Sequence, residues 1–262
     1  MGCFDGYLFC TDMDGTLTIQ GELSEENAQA IREFQQEGGI FVVSTGRAPN
    51  YIKQYAPEYV PNGPIIASNG TVIYDVKKEE ILFESHLDDS IEEAMEYVLQ
   101  QYPDLITMHL TYSMEETSAR YHPSDGMTIR EFMDSVPKPW YKVIFVVPAV
   151  ESLEVRETLE RIYGERWNFN RSWPEGVELI PKDSGKGLCI DRLRKVLGKR
   201  ARVVVAAGDF ENDITMMQAA DIGYAVENAL DSVKEAADRV TVHHEQHAIR
   251  AIIEELRREC DQ

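Results

Sequence analysis

The sequence predicts an α/β protein in which a parallel sheet carries an inserted α+β module. Strand-like and helix-like segments alternate in both flanks of the chain, a pattern typical of parallel sheets. Three apolar runs in these flanks end in acids, hydroxyl groups and glycine, and such ends are missing from the middle of the chain. We therefore predict one core domain from residues 1–83 and 182–262, with residues 84–181 inserted into it.

The first flank begins with a strand, a helix and a second strand. Tyr7–Thr11 is an apolar run with strand character. A helix is expected from Ser24, whose hydroxyl could cap it, to Gly38-Gly39, which would end it. Ile40–Val43 then predicts a second strand, which runs into Ser44-Thr45-Gly46-Arg47.

Three shorter strands complete this flank. They are predicted at Ile65–Ala67, Thr71–Tyr74 and Ile81–Phe83. Asn69-Gly70 between the first two is a strong hairpin signal, because both residues tolerate the left-handed backbone of a tight turn.

The inserted segment has its own alternation of elements, with prolines at their ends rather than in a flexible linker. The pattern leaves the type of one stretch, Asp125–Ser135, open. The other predicted elements are helices at Asp88–Gln101 and Val150–Tyr163 and strands at Leu105–Thr111, Lys142–Val147 and Arg166–Arg171. This composition predicts a separate α+β module.

The second flank contains a third buried strand, Arg202–Ala207, which ends in Gly208-Asp209 and leads directly into a helical pattern. Ligands of open α/β sheets bind beyond the carboxyl ends of the strands. The polar residues that follow the three buried strands are therefore expected to lie together in a functional site.

Composition limits the classes of partner. With 262 residues, of which 43% are hydrophobic, the chain can bury a substantial core. Its 46 acids against 26 bases give a formal charge of −20, which disfavours nonspecific binding to nucleic acid or to an anionic membrane. No apolar stretch reaches the roughly 18 residues of a membrane span.

Cysteine usage points to a reducing compartment. Cys3, Cys10, Cys189 and Cys260 are scattered without a CxxC pair, so neither a disulfide framework nor a thiolate zinc site is predicted. We therefore expect a cytoplasmic protein.

The most informative residues are Asp12 and Asp14, which follow the first strand one residue apart. Strand alternation would point both carboxylates to the same side, where a divalent cation with oxygen ligands could offset their repulsion. Such a pair could supply a nucleophile and a general acid/base. The alternative is an ordinary Asp-Gly turn between strands.

Two further segments have the chemistry of phosphate binding. Thr45 and Gly46 offer a hydroxyl and an open backbone amide at a strand end, although a structural Thr-Gly turn is equally consistent with them. Lys186 is predicted at the start of a helix, where the dipole disfavours a cation unless an anion is bound nearby. A solvent-exposed lysine is the alternative there.

A cluster of polar residues follows the third buried strand. Asp209 could be a metal ligand, or it could only cap the next helix. Asn212 and Asp213, three and four residues further on, would lie on the same side of a helical turn. They could orient phosphate, a lysine or metal-bound water, which capping alone would not explain.

Four segments in this order resemble the motifs of the haloacid dehalogenase (HAD) superfamily: Asp12-Met13-Asp14-Gly15-Thr16, Ser44-Thr45-Gly46-Arg47, Lys186-Gly187 and Gly208-Asp209-Phe210-Glu211-Asn212-Asp213. Asn69-Gly70, the Gly223–Ala229 segment and the long insertion resemble the Cof-type branch, which has a type IIB cap. The resemblance implies a Rossmann-like core, a Mg²⁺ ion and hydrolysis of small phosphorylated metabolites, often sugar phosphates.

The resemblance also implies a role for each matching residue. Asp12 would attack phosphorus and form an aspartyl-phosphate, while Asp14 would protonate the leaving oxygen and later activate water. The metal would be held by Asp12, the backbone carbonyl of Asp14 and Asp209, with Asp213 in support. The phosphoryl group would be bound by Met13, Thr45, Gly46, Lys186 and Asn212.

Two other functions stay open at this point. A phosphomutase acting on sugar phosphates would share both aspartates and a similar cap, and a noncatalytic phosphate-binding module would keep only the shape of the site. Arg47 could contact substrate or cap, or form a surface ion pair. His243 and His247 have the i, i+4 spacing of metal ligands if helical, but a solvated helix start is the simpler interpretation.

Overall fold

The computed structural model describes residues 2–53, 61–102 and 107–260. The strands bounded within these residues are, in chain order, β1 (Tyr7–Thr11), β2 (Ile40–Val43), β3 (Ile65–Ala67), β4 (Val72–Asp75), β5 (Glu80–Glu84), β6 (Thr107–Thr111), β7 (Ser118–Tyr121), β8 (Lys142–Val146), β9 (Trp167–Trp173), β10 (Gly176–Pro181), β11 (Val203–Gly208), β12 (Ile222–Ala225) and β13 (Arg239–Val240). The α-helices bounded within them are α1 (Glu25–Gln36), α2 (Ile91–Gln101), α3 (Ile129–Ser135), α4 (Ser152–Tyr163), α5 (Lys186–Leu197), α6 (Ile214–Ala219), α7 (Asp231–Ala236) and α8 (Ala248–Cys260).

The flanks of the chain share one parallel sheet of strand order β13-β12-β11-β1-β2. Its central strands are almost wholly buried apolar runs, as expected of a sheet covered on both faces. At the carboxyl end of β1, Thr11 is level with Ala207 in β11 and with Val43 in β2. The segments that follow these three strands therefore emerge side by side, which confirms the predicted parallel sheet.

Helices cover both faces of this sheet. Successive strand residues point to opposite sides, so a wholly apolar strand presents apolar side chains on both faces. On one face, Phe9 belongs to a buried cluster with Phe34 of α1 and Ile253 of α8. On the other face, Leu8 belongs to a second cluster with Leu193 of α5 and residues of α6. The result is the three-layer arrangement of a Rossmann-like core.

The ends of α1 follow the sequence prediction. Ser24 accepts a hydrogen bond from the backbone N–H of Asn27 at 3.2 Å, so it caps the helix. The helix ends at Gln36, and Gly38 then adopts a φ of 98°, which a residue with a side chain rarely adopts.

A small antiparallel sheet of order β3-β4-β5 follows β2. β3 and β4 pair across a 3₁₀ turn at Ser68–Gly70, which confirms the hairpin signal at Asn69-Gly70. Asn69 has left-handed angles, with φ 55° and ψ 34°. This conformation fixes the direction in which its side chain leaves the turn.

A second five-stranded sheet, of order β7-β6-β8-β10-β9, has only antiparallel neighbours. Buried residues of α2, α3 and α4 pack with it around Trp140 and Phe145. This part of the chain is therefore an α+β unit with its own hydrophobic cluster, as the sequence predicts.

The structure adds three details to the sequence prediction for this unit. The strand expected over Leu105–Thr111 is present over Thr107–Thr111, and residues 105 and 106 lie outside the described part of the chain. The stretch whose type was open contains α3. Strands β7 and β10 are not predicted by the sequence pattern, in β10 because Glu178 interrupts the apolar run.

The cysteine prediction is wrong for one pair. Cys3 and Cys260 form a disulfide, with their Cα atoms 6.0 Å apart. They are 257 residues apart, and no sequence spacing shows that α8 carries Cys260 to the start of the chain. Cys10 and Cys189 are buried free thiols. No helix within the described residues is long and apolar enough to cross a membrane.

Candidate active site

A cavity of about 380 Å³ lies between the carboxyl ends of the parallel strands and the second five-stranded sheet. On the side of the parallel sheet it is lined by Asp12, Asp14, Thr45, Gly46, Arg47, Asp209, Phe210 and Asn212. On the other side it is lined by Glu116, Lys142, Ile144, Ser172, Trp173 and Glu178. The segments after β1, β2 and β11 thus meet in one cavity, as their strand ends predict.

Lys186 and two carboxylates form a buried cluster, and of its members only Asp12 lines the cavity. The Nζ of Lys186 donates to Oδ1 of Asp12 and to Oδ1 of Asp213, each at 2.6 Å. All three side chains are buried. Burial alone would lower the pKa of Lys186, but the two carboxylates outweigh it and raise this pKa. Lys186 is therefore a fixed positive charge beside Asp12.

Asp209 brings a third carboxylate to the same place. Oxygen atoms of Asp12, Asp209 and Asp213 lie within 4.8 Å of one another. Burial first, and then the charge of Asp213, raises the pKa of Asp209 to about 7. Burial also raises the pKa of Asp12, against the opposing effect of Lys186. One lysine does not balance three carboxylates, and hard oxygen ligands in this number suit a divalent cation.

Asp213 holds the turn together. Its Oδ2 accepts hydrogen bonds from the backbone N–H groups of Asp209 at 3.0 Å and of Phe210 at 3.2 Å. Its Oδ1 is taken by Lys186. The fully buried Asp213 therefore links the segment after β11 to the start of α5.

Strand alternation is the wrong reason for the proximity of Asp12 and Asp14. Both lie beyond the end of β1, and the chain turns at Gly15, whose φ is 82°. This φ is strained for any residue with a side chain, and a Cβ at Gly15 would also lie 2.6 Å from Oδ2 of Asp209, so the position favours glycine. Asp12 and Asp14, which precede this turn, both line the cavity.

Arg47 pairs with Asp14. Its Nε donates to Oδ2 at 3.0 Å and its Nη2 to Oδ1 at 3.2 Å, a bidentate arrangement that orients the carboxylate. The hydrogen bond from Arg47 to Asp14 raises the pKa of Arg47. Glu116 of the second sheet unit lies 3.8 Å from the same guanidinium. Arg47 thus contacts both sides of the cavity.

Thr45 and Gly46 line the cavity, whereas the side chain of Met13 does not. The Thr45 hydroxyl accepts from the backbone N–H of Arg47 at 3.1 Å, which shapes the turn after β2. The Met13 side chain is fully buried in the core. A phosphate contact at Met13 could therefore come only from its backbone.

Asn212 is buried in a 3₁₀ turn, and its Nδ2 donates to Oδ1 of Asn69 at 3.0 Å. Asn69, Lys142 and Glu178 are side chains of this region that the sequence prediction missed. Lys142 Nζ donates to Glu178 Oε2 at 3.1 Å and to the carbonyl of Gly46 at 3.0 Å. The available signal was a charged residue within each of two otherwise apolar strand segments.

The histidines near the carboxyl terminus do not converge on a metal site. His247 follows a 3₁₀ turn with a φ of 60°, so it does not share a helix with His243. His247 contacts the Ser24 hydroxyl at 3.0 Å, and His244 contacts the carbonyl of Thr18 at 3.0 Å. Within the described residues they pack this loop against the segment after β1.

The chain belongs to the haloacid dehalogenase-like hydrolase family, whose profile matches residues 9–253. Among curated relatives, it is 29% identical over 242 residues to 5-amino-6-(5-phospho-D-ribitylamino)uracil phosphatase YcsE of Bacillus subtilis, with 89% of each chain covered. The family confirms the resemblance carried by the four motifs and makes the chain a hydrolase.

Solved structures agree in fold. A haloacid dehalogenase-like hydrolase from Bacteroides thetaiotaomicron is 26% identical, with a TM-score of 0.73 over 95% of this chain and 98% of that one. The HAD subclass IIB sugar phosphatase BT4131, 19% identical, shares the fold with a TM-score of 0.74 over 95% and 98% of the two chains. The second sheet with α2, α3 and α4 is therefore called the cap below, and the rest of the described fold the core.

Proposed function

We propose that this chain is a Mg²⁺-dependent phosphatase that hydrolyses a small phosphorylated metabolite, a sugar phosphate or similar phosphomonoester, through an aspartyl-phosphate intermediate. One observation carries the proposal. Asp12 lies at the end of β1, bound to the buried Lys186, in a cavity that Asp14 and Asp209 also reach. A nucleophile, an acid/base and positive charge for the phosphoryl oxygens are thus together.

The carboxylates fit a magnesium ion. Asp12 and Asp209 would hold it, together with the backbone carbonyl of Asp14, while Asp213 supports the shell through Lys186 and the turn after β11. When bound, the ion would neutralise charge on the transferring phosphoryl group. The raised pKa of Asp209 supports this assignment, because a cation would relieve the repulsion that contributes to it.

The side chains of the core supply the two chemical steps. Asp12 attacks phosphorus, and its new O–P bond forms as the ester O–P bond breaks, while Asp14 gives its proton to the leaving oxygen. In the second step Asp14 takes a proton from water, whose oxygen attacks phosphorus and releases Asp12 as a carboxylate. Arg47 orients Asp14, and Lys186 orients Asp12 through a hydrogen bond to its Oδ1.

The phosphoryl oxygens would be bound by Thr45, Gly46, Lys186, Asn212 and the backbone of Met13. We further propose that residues 84–181 are the cap domain and that residues 1–83 and 182–262 are the core domain. The hydrophobic cluster of the cap contains residues from Leu87 to Leu179, which supports these boundaries.

The cap side of the cavity supports a small, polar leaving group. Trp173 and Ile144 present apolar surface, and Glu116 and Ser172 offer hydrogen-bonding groups. This mixture suits a polyhydroxylated compound, which has apolar faces and hydroxyl edges. The named relatives, a sugar phosphatase and a phosphoribitylamino-uracil phosphatase, support the same class of substrate.

A panel of phosphorylated metabolites tests the proposal. Inorganic phosphate is expected from at least one sugar or polyol phosphate in the presence of Mg²⁺, and not after chelation. Asp134→Asn, at an exposed ion pair on α3, is the control and should retain the wild-type rate. A product that keeps its phosphate would instead identify a mutase, and phosphate binding without turnover of any compound would identify a binding module.

A further inference from the structure

Two core residues that we propose to bind the phosphoryl group are held from the cap. The carbonyl of Gly46 accepts from Lys142 at 3.0 Å, and the side chain of Asn212 is bonded to Asn69, which is bonded in turn to Glu178. Lys142 and Glu178 lie on neighbouring strands of the cap sheet. The cap thus reaches both phosphate-binding segments through one connected network.

Lys142 and Glu178 are suited to orienting neighbouring residues and not to binding a charged substrate. Their side chains are only 8% and 1% exposed, and their charges cancel. Lys142 Nζ donates to both oxygens of Glu178 and to the carbonyl of Gly46, which accounts for the three donors of an ammonium group. Neither charge is left for a ligand.

Asn69 transmits this arrangement to Asn212. Its Nδ2 donates to Oε2 of Glu178 at 2.5 Å and to the hydroxyl of Ser172 at 2.9 Å, so both donors of the amide face the cap. Its Oδ1 must then face the core, where Asn212 Nδ2 donates to it at 3.0 Å. A flipped Asn212 amide would place two oxygens against each other.

The consequence is a fixed orientation of the Asn212 amide. One N–H is bonded to Asn69, and the second N–H of the same group can donate to a phosphoryl oxygen in the cavity. Without Glu178 and Ser172, the amide of Asn69 could rotate and Asn212 would lose this constraint.

We propose that Glu178 and Asn69 are positioning residues that couple contact between cap and core to the orientation of Asn212, and that Lys142 does the same for the Gly46 peptide. This inference rests on the proposed phosphatase function. It makes docking of the cap a condition for tight binding of the phosphoryl group itself, independently of the leaving group.

Asn69→Gly is the informative variant, because glycine adopts a φ of 55° without strain and removes only the side chain. In the presence of Mg²⁺, we expect the dissociation constant of inorganic phosphate, measured by calorimetry, to rise about tenfold, the equivalent of one hydrogen bond. We expect kcat/KM to fall by a similar factor for two substrates with different leaving groups.

A double-mutant cycle separates a relay from two independent effects. Asn212→Ala should weaken phosphate binding by a similar factor, and Asn69→Gly added to it should cost little more, because Asn69 acts through Asn212. Additive losses would overturn the relay. Asn50→Ala is the matched control, since Asn50 also bonds the core to the cap, at Glu115, but touches no phosphate-binding residue.

The remaining outcomes are equally decisive. An unchanged phosphate dissociation constant in Asn69→Gly, with a lower melting temperature, would show a purely structural contact and overturn the inference. A loss of kcat/KM that differs between the two substrates would place Asn69 at the leaving group and also overturn it. If the wild type binds phosphate but hydrolyses nothing, the proposed function fails while the calorimetric test of the relay still stands.

Discussion

Two lysines are buried in the described part of the chain, and their surroundings differ in charge. Lys186 in the core lies among Asp12, Asp209 and Asp213, so its single charge meets three carboxylates. Lys142 in the cap meets the carboxylate of Glu178 and a neutral carbonyl. Both lysines are almost inaccessible to solvent. The first cluster keeps an excess of negative charge, and the second is neutral.

This difference separates a cluster suited to binding a ligand from one suited to a structural role. Uncompensated buried charge is unfavourable, so the excess negative charge of the Lys186 cluster is expected to lower stability, and a bound cation would restore it. The Lys142 pair has its charges and hydrogen bonds satisfied within the protein. It can fix the geometry of its neighbours without attracting a ligand.

The largest expected effect is that of Asp12→Asn. Turnover should fall by about 10⁴-fold or more, because the amide cannot form the aspartyl-phosphate. The variant should fold, and its melting temperature should not decrease, since one of three crowded carboxylates is removed. Phosphate release measures the turnover, and circular dichroism measures the melting temperature. An active Asp12→Asn enzyme would disprove the nucleophile assignment.

Lys142→Met should have the largest effect on stability. It leaves the carboxylate of Glu178 buried without a positive charge beside it, which is expected to lower the free energy of unfolding by about 3–5 kcal/mol. Urea denaturation measures the change. The double variant Lys142→Met/Glu178→Gln should recover most of it, and equal losses in both would contradict the buried pair. Lys138→Met, at an exposed pair with Asp89, is the control and should change little.

The pH dependence tests the excess charge of the core cluster. The pKa of Asp209 is raised to about 7 in the folded, metal-free protein. Between about pH 4 and 7, Asp209 therefore binds more protons in the folded state than in the unfolded state. Asp209 therefore contributes a loss of stability as pH rises through this window. Below pH 7, the apparent dissociation constant for Mg²⁺ should decrease about tenfold for each unit by which the pH rises, because binding of the ion releases the proton of Asp209.

Comparison of the wild type with Asp209→Asn measures the contribution of Asp209 and of its repulsion with Asp12 and Asp213, since the acids outside this cluster titrate in both proteins. In the presence of a chelator, the difference in unfolding free energy between them should grow in favour of the variant as pH rises from 4 to 7. A difference that stays constant over this range would refute the raised pKa.

Arg47→Gln should have the smallest effect on stability. The Arg47–Asp14 pair is 38% and 46% exposed, so its loss is expected to change the free energy of unfolding by less than about 1 kcal/mol. The same urea experiment as for Lys142 measures it. A loss as large as that of Lys142→Met would remove the distinction between buried and exposed pairs.

The sequence predicts the core side of the site because of the geometry of parallel strands. Asp12, Thr45 and Asp209 each follow an apolar strand, and parallel strands bring their carboxyl ends together. Lys186 and Asn212 carry weaker signals that become informative only in the order of the four motifs. The fold of both units could be predicted because the periodicity of strands and helices is a local property of the sequence.

The cap side could not be predicted, because its residues act through contacts between distant segments. Asn69 and Glu178 are 109 residues apart in sequence, and Lys142 and Glu178 are 36 apart. Glu178 also conceals β10, since a charge inside an apolar run weakens the strand pattern. The disulfide of Cys3 and Cys260 could not be predicted either, because the two cysteines are far apart in sequence.

The discontinuous core has a consequence for synthesis of the chain. Asp12 leaves the ribosome 174 residues before Lys186. Strand β1 cannot pair with its neighbour β11 until β11 has been synthesised. The cap, being continuous in sequence, can pack during this interval, because units with local contacts fold early. We therefore expect the nascent protein to carry a finished cap on an unfinished core, and to gain its chemistry only as the last third of the polypeptide emerges.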